Sequence, residues 1–149
     1  MQKASSTHNM DLEKILEMWK KDSVIDDVLI DQAALKIPQL HQKYLTLHSE
    51  YVLLSKKKSQ DLRTLQHKKT LYYSGRAAPE DYDEPFEYKV MKSDVPNWVA
   101  VDDEVQRVEL KLEYYNATIK VLEDILKQVH QLSFNIKNVI EWRRFVGGA

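Results

Sequence analysis

Apolar residues recur at helical spacing along most of the chain. The first ten residues are polar and patternless and read as a disordered start. Asp11 then opens a short amphipathic helix with Leu12, Ile15, Leu16 and Trp19 on one face. A second helical run, from about residue 26 to 48, carries Leu29, Ile30, Ala33, Leu40, Tyr44 and Leu47 as its apolar stripe. Pro38 lies inside that run and predicts a bend or a restart, giving a bent helix pair, because proline removes a backbone hydrogen bond. The helical pattern continues to about Leu71, and Gly75 is its stop signal. Residues 77–85 read as an acidic, proline-bounded loop. Phe86, Tyr88 and Val90 alternate with Glu87, Lys89 and Met91, and Trp98 to Val101 follows Pro96, which predicts a small β-hairpin.

Asp102 and Asp103 mark the start of a further helix, where carboxylates satisfy free N–H groups. Its apolar positions are Val105, Val108, Leu112, Tyr115, Ile119, Leu122, Leu126 and Val129, alternately three and four residues apart. That is a heptad seam. A second stripe (Tyr114, Thr118, Val121, Ile125 and Leu132) lies on the adjoining face. A helix apolar on two faces packs on its own chain and on something else, so the seam predicts self-association. The alternative is a monomeric bundle whose core uses both stripes. A final helix over 134–146 places Phe134, Ile136, Val139, Ile140 and Phe145 inside, and Gly147-Gly148 ends it. The expected fold class is therefore mainly α, with the hairpin as a small exception. The chain divides into a start over 1–10, a helical part over 11–76, an acidic loop and hairpin over 77–101, and oligomerisation helices over 102–149.

Composition narrows the chemistry. The 149 residues include no cysteine and only three glycines, which removes disulfides, thiolate metal sites, a cysteine nucleophile and glycine-rich phosphate loops. No apolar run approaches the ~18–20 residues of a membrane span, so a soluble cytoplasmic protein with no membrane partner is expected. His41 and His48 share a helix face but sit about 10 Å apart, too far to hold one ion. The acidic run from Asp81 has Phe86 and Lys92 where a calcium loop needs Gly and Glu. No metal, no cofactor and no catalytic residue is expected.

The formal net charge of −1 conceals an asymmetry. Residues 51–76 hold Lys56, Lys57, Lys58, Arg63, Lys68, Lys69 and Arg76 against Asp61 alone. On a helix, Lys56, Arg63 and His67 share one side with Lys57 and Lys68 beside them, opposite Leu47, Leu54, Leu62 and Leu65. Tyr72, Tyr73 and Arg76 follow at the helix end. Cations that track phosphates, with aromatic faces for bases, suit sequence-independent binding of single-stranded nucleic acid. The plainer reading is a solvated helix face.

The stretch Leu65 to Arg76 adds a resemblance. Tyr72-Tyr73-Ser74-Gly75-Arg76, entered from a basic leucine-bearing helix, is similar to the UvsY family of recombination mediators of T-even-type phages, in which the pattern K-A-R-L-D runs into the same five residues. The similarity extends upstream through Lys20-Lys21-Asp22 and Ile25-Asp26 to His48. It returns at Ser133 to Lys137 and Arg144 to Gly148, so it spans about residues 11–148. The family's two basic positions before the tyrosines fall on His67 and Lys69. His67 is a departure, since a neutral imidazole is a weaker phosphate partner than an ammonium; Lys68 supplies a cation beside it.

The resemblance implies a non-enzymatic, ring-like homo-oligomer of roughly six or seven subunits, joined through C-terminal helices and bound to single-stranded DNA. It also implies contacts with a RecA-like phage recombinase and the phage single-strand-binding protein, in the cytoplasm of the infected host. The recombinase is thereby loaded in place of the binding protein. A reading from another class is a coiled-coil scaffold whose basic stripe docks an acidic partner.

Overall fold

The computed structural model describes residues 11–148, so the expected disordered start lies outside the described residues. Four α-helices follow in order: α1 (Leu12–Asp22), α2 (Ile30–Tyr73), α3 (Val95–Ala100) and α4 (Asp103–Val146), with a 3-10 turn at Pro79–Asp81 between α2 and α3. The fold is mainly helical, as the spacing predicts. Among the described residues no helix is long and apolar enough to cross a membrane.

Local chemistry sets the helix ends. The Lys14 N–H donates to Asp11 Oδ1 at 3.0 Å, which starts α1. At the far end of α2, Gly75 takes φ +73°. The Arg76 N–H then reaches Leu71 O at 2.9 Å and the Gly75 N–H reaches Tyr72 O at 3.1 Å, the paired bonds of a Schellman termination. The start of α4 is held by Asp102, whose Oδ1 accepts from the Glu104 and Val105 N–H groups at 2.9 and 3.2 Å.

Three expectations need correction. The second helix starts at Ile30, because Asp26 Oδ1 ties up the Val28 N–H at 2.9 Å in a turn. Pro38 neither splits nor restarts it: α2 is one helix of 44 residues. Ala33 and Ile37 before the proline and Leu40 beyond it are half-buried and line one groove with Leu132 and Ile136 of α4, so the same face continues across the proline. Likewise the last helix is not separate, since α4 runs unbroken through residue 134.

The hairpin is also absent. No strand occurs among the described residues, and residues 95–100 are helical. Pro96 occupies the first turn of α3, where its missing N–H costs nothing. Val95 and Val99 bury one face of that helix with Val105, against Leu62, Leu65, Tyr73 and Val90. The alternation of Phe86, Tyr88 and Val90 records ring packing instead of a ladder, as described below.

The chain forms two compact units. One combines the chain up to His48 with that from Lys120 onward, and the other is Ser49–Ile119. In the first, Trp19 packs edge-on against Tyr44 with centroids 5.4 Å apart. Asp22 Oδ2 accepts from the Tyr44 hydroxyl at 2.9 Å and from Lys43 at 2.6 Å. Burial, then the Asp22 hydrogen bond, pushes the Tyr44 hydroxyl well above the ordinary tyrosine range. Ile15, Leu122, Ile125, Val129 and Ile136 complete the buried set there, and Arg143 donates to the Asp27 carbonyl. In the second unit, Tyr51 meets Tyr115 edge-on at 5.8 Å, and Ser55 donates to Asn116 Oδ1 at 2.7 Å.

A Cβ added at Gly75 meets nothing within 4 Å, so its constraint is purely conformational. Gly75→Ala is expected to lower stability by about 1–2 kcal/mol, read as a smaller urea midpoint with an unchanged slope.

Candidate nucleic-acid interface

The basic stretch of α2 lies wholly in the second unit, and its side chains divide into two groups. Lys56, Lys57, Arg63, His67 and Lys68 are exposed, as is Arg76 just beyond the helix. Leu54, Leu62 and Leu65 are half-buried on the other side, so the helix presents an apolar inner face and a cationic outer one. From Lys56 to Lys68 this outer face runs about 18 Å along the axis.

The remaining four candidates have partners within the unit. Lys58 sits 3.5 Å from Asp61 one turn on. Lys69 is half-buried, with Nζ 3.1 Å from Asp102 Oδ2 and 3.4 Å from Glu104 Oε1. The Tyr73 hydroxyl donates to the same Asp102 oxygen at 2.7 Å, and the Tyr72 hydroxyl donates to the Glu84 carbonyl at 2.9 Å. Lys69 therefore fastens α2 to α4, and both tyrosines are held by their own chain.

Asp102 is the centre of this arrangement. Burial raises its carboxyl pKa, but hydrogen bonds from Tyr73, Lys69 and the Val105 N–H outweigh that and hold it below the ordinary value. Burial works against the Lys69 cation in the same way, and Asp102 and Glu104 outweigh it, raising its pKa. For Tyr73, burial and then the bond to Asp102 act together and push its hydroxyl well above the ordinary range.

The tyrosines also belong to a ring cluster that the sequence reading missed. Tyr72 lies 5.5 Å from Tyr82 and 5.7 Å from Phe86, centroid to centroid. Tyr73 lies 4.9 Å from Phe86 and 5.9 Å from Trp98. Phe86 and Trp98 in turn contact Tyr88 at 5.6 and 6.2 Å. The density of aromatic residues between positions 72 and 98 was the available signal. The acidic segment carrying Tyr82 is thereby laid beside the basic helix: Glu80, Asp81, Asp83 and Glu84 line one cavity of about 710 Å³ with Lys68 and Lys69.

An exposed cationic helix face ending in Tyr-Tyr-Ser-Gly-Arg calls for comparison with known proteins. A family model described as recombination, repair and ssDNA binding protein UvsY matches residues 18–149. The chain belongs to the UvsY family. It is 29% identical over 145 residues to the recombination protein uvsY of enterobacteria phage T4, an alignment covering 93% of this chain and 99% of that one. Two crystal structures of the bacteriophage T4 recombination mediator protein UvsY match with TM-scores of 0.83. Their identities are 26% and 25%, over 93% and 91% of this chain and 98% and 99% of theirs.

In this UvsY-family chain the heptad residues are largely turned to the chain itself. Val105, Tyr115, Leu122 and Val129 are buried, while Val108, Leu112, Ile119 and Leu126 are half-buried. Thr118 and Ile125 of the second stripe are buried too, so both stripes contribute to packing within the chain. Of the residues expected inside the last part of α4, Ile136 is buried and Ile140 half-buried. Phe134, Val139 and Phe145 are exposed, whereas Leu132 and Ile136 line a groove with residues of α2. Exposed apolar surface on α4 thus concentrates at Phe134, Val139, Trp142, Phe145 and Val146, with Leu110 apart. Among the described residues no group of three or more His, Asp or Glu is placed to hold a metal ion.

The Asp102 contribution to stability is complete above the ordinary carboxyl value of 3.8 and is lost as pH falls through its lowered value. The Lys69 contribution is complete below 10.5 and is lost as pH rises through its raised value. Asp102→Asn keeps a helix-capping side chain but removes the charge. It should cost about 1–3 kcal/mol at neutral pH and flatten the acid-side decline in urea titrations run at a series of pH values.

Proposed function

We propose that this protein is a recombination mediator that binds single-stranded DNA as a ring-like homo-oligomer and promotes loading of a RecA-like recombinase in place of the single-strand-binding protein. The observation that carries the reading is the exposed face of Lys56, Lys57, Arg63, His67 and Lys68 on α2, continued by Arg76, in a member of the UvsY family. Phosphates pair with this face without reading bases, which suits a strand of any sequence. The protein positions the strand and performs no bond chemistry of its own. It acts where phage DNA recombines, in the cytoplasm of the infected host.

The oligomer multiplies a modest affinity per subunit, since several cationic faces engage one strand together. Assembly runs through α4. The half-buried members of the seam, Val108, Leu112, Ile119 and Leu126, and the exposed Trp142 and Phe145 support that reading. Large aromatic residues left 64% and 79% accessible in a single chain mark a surface that a second copy covers.

Two measurements test these assignments. Titrating labelled poly-dT against salt should give an affinity that falls steeply, and Lys56→Glu with Lys68→Glu should weaken binding and reduce the log–log salt slope by roughly 2. An intact oligomer with no affinity near physiological salt would favour the scaffold reading. Trp142→Asp with Phe145→Asp should lower the particle mass in light scattering, whereas Leu122→Ala, in the buried set, should cost about 2–5 kcal/mol of stability and leave the mass unchanged.

A further inference from the structure

The ring cluster is closed at one end and open at the other. Tyr72 and Tyr73 are half-buried, their hydroxyls are bonded within the chain, and Tyr82, Phe86 and Trp98 lie against their rings. Both rings are thus engaged within the chain. At the other end, Tyr88 is 71% exposed and Trp98 38% exposed, yet the two rings are stacked, 6.2 Å between centroids and 23° from parallel. Phe86 supports both from beneath, at 5.6 Å from Tyr88 and 5.2 Å from Trp98.

We propose that Tyr88 and Trp98 form the base-stacking platform of this protein, receiving nucleobases of the single strand whose phosphates run along the cationic face of α2. The proposal rests on the single-stranded-DNA reading above and adds a stacking role for the more exposed rings of the cluster.

Three observations favour a nucleobase over a protein side chain. The rings are already near-parallel, so an incoming planar base extends an existing stack with no rearrangement. The cluster is continuous through Phe86 and Tyr73 with the end of the basic helix, which places the platform beside that end. Exposed Lys89 and Lys92 follow Tyr88 along the chain and Glu87 precedes it, and Arg107 lines the cleft beside Trp98 together with Asp103 and Glu104. Lys89, Lys92 and Arg107 serve phosphates neighbouring a stacked base, and Met91 and Val101 add exposed apolar surface for its edges.

The test uses the full-length protein. Trp98 becomes the sole indole in a Trp19→Phe, Trp142→Phe background, since the chain has three tryptophans. Labelled poly-dT anisotropy reports binding independently of that indole. Addition of poly-dT should quench Trp98 emission. Tyr88→Ala in the otherwise unaltered protein should weaken binding by roughly 5- to 150-fold, with its thermal unfolding unchanged because the ring is mostly exposed. Tyr88→Phe, which keeps the ring, should retain affinity. Unchanged Trp98 emission at saturating poly-dT, together with full affinity in Tyr88→Ala, would overturn the platform while leaving the DNA reading intact. Failure of the parent protein to shift the anisotropy at all would overturn both.

Discussion

A single carboxylate joins the two long helices where the second unit needs them joined. Asp102 spends one oxygen on the first turn of α4 and the other on Tyr73 and Lys69 of α2. Each task satisfies polar groups at the junction, and the carboxylate does both because its two oxygens face different helices. The last turn of α2 and the first turn of α4 are thereby brought to one point, and the ring cluster forms around it. The orientation of Tyr73 and the packing of Val105 on α3 both follow from it.

This junction also decides which cations are available to a ligand. A basic block counted from the sequence is uniform, but the structure divides it. Lys69 is committed to Asp102 and Glu104, whereas Lys68, the residue before it, is exposed. Adjacent helical positions lie about 100° apart, so one lysine is drawn into the structure while its neighbour stays on the surface. The acidic segment at 80–84 extends the contrast, since its carboxylates share a cavity with both lysines. Lys68 thus shares its surroundings with carboxylates that the chain itself brings close.

Features set by local chemistry were legible in the sequence. Asp11, Gly75 and Asp102 each act within a few residues of themselves, and each was readable from residue type and position. The exposed cations followed from helical periodicity in the same way. What was not legible depended on partners distant along the chain. Alternating Phe86, Tyr88 and Val90 suits either a strand or a row of rings, and only the presence of Tyr73 and Trp98 decides between them. The heptad spacing of α4 shows that helices meet along it, but not whose; here α2 of the same chain takes much of that seam. The restart expected at Pro38 does not occur: the cost of its missing bond is local, while the groove beside it is completed by residues nearly a hundred positions away.

The division into units has a consequence for the order of folding. The second unit is contiguous and has all its residues once position 119 has been synthesised. The first unit cannot be completed then, because it pairs early residues with the stretch from Lys120 onward; His48 meets Glu123, and Asp27 meets Arg143 across 116 positions. On the ribosome, the contiguous unit is free to form while the other still waits for its second half. Until then, Ile37 and Leu40 lack the Leu132 and Ile136 that complete their groove, and the nascent chain carries them uncovered. That interval, set by translation rate, is when the chain is most open to mispairing with a second nascent copy.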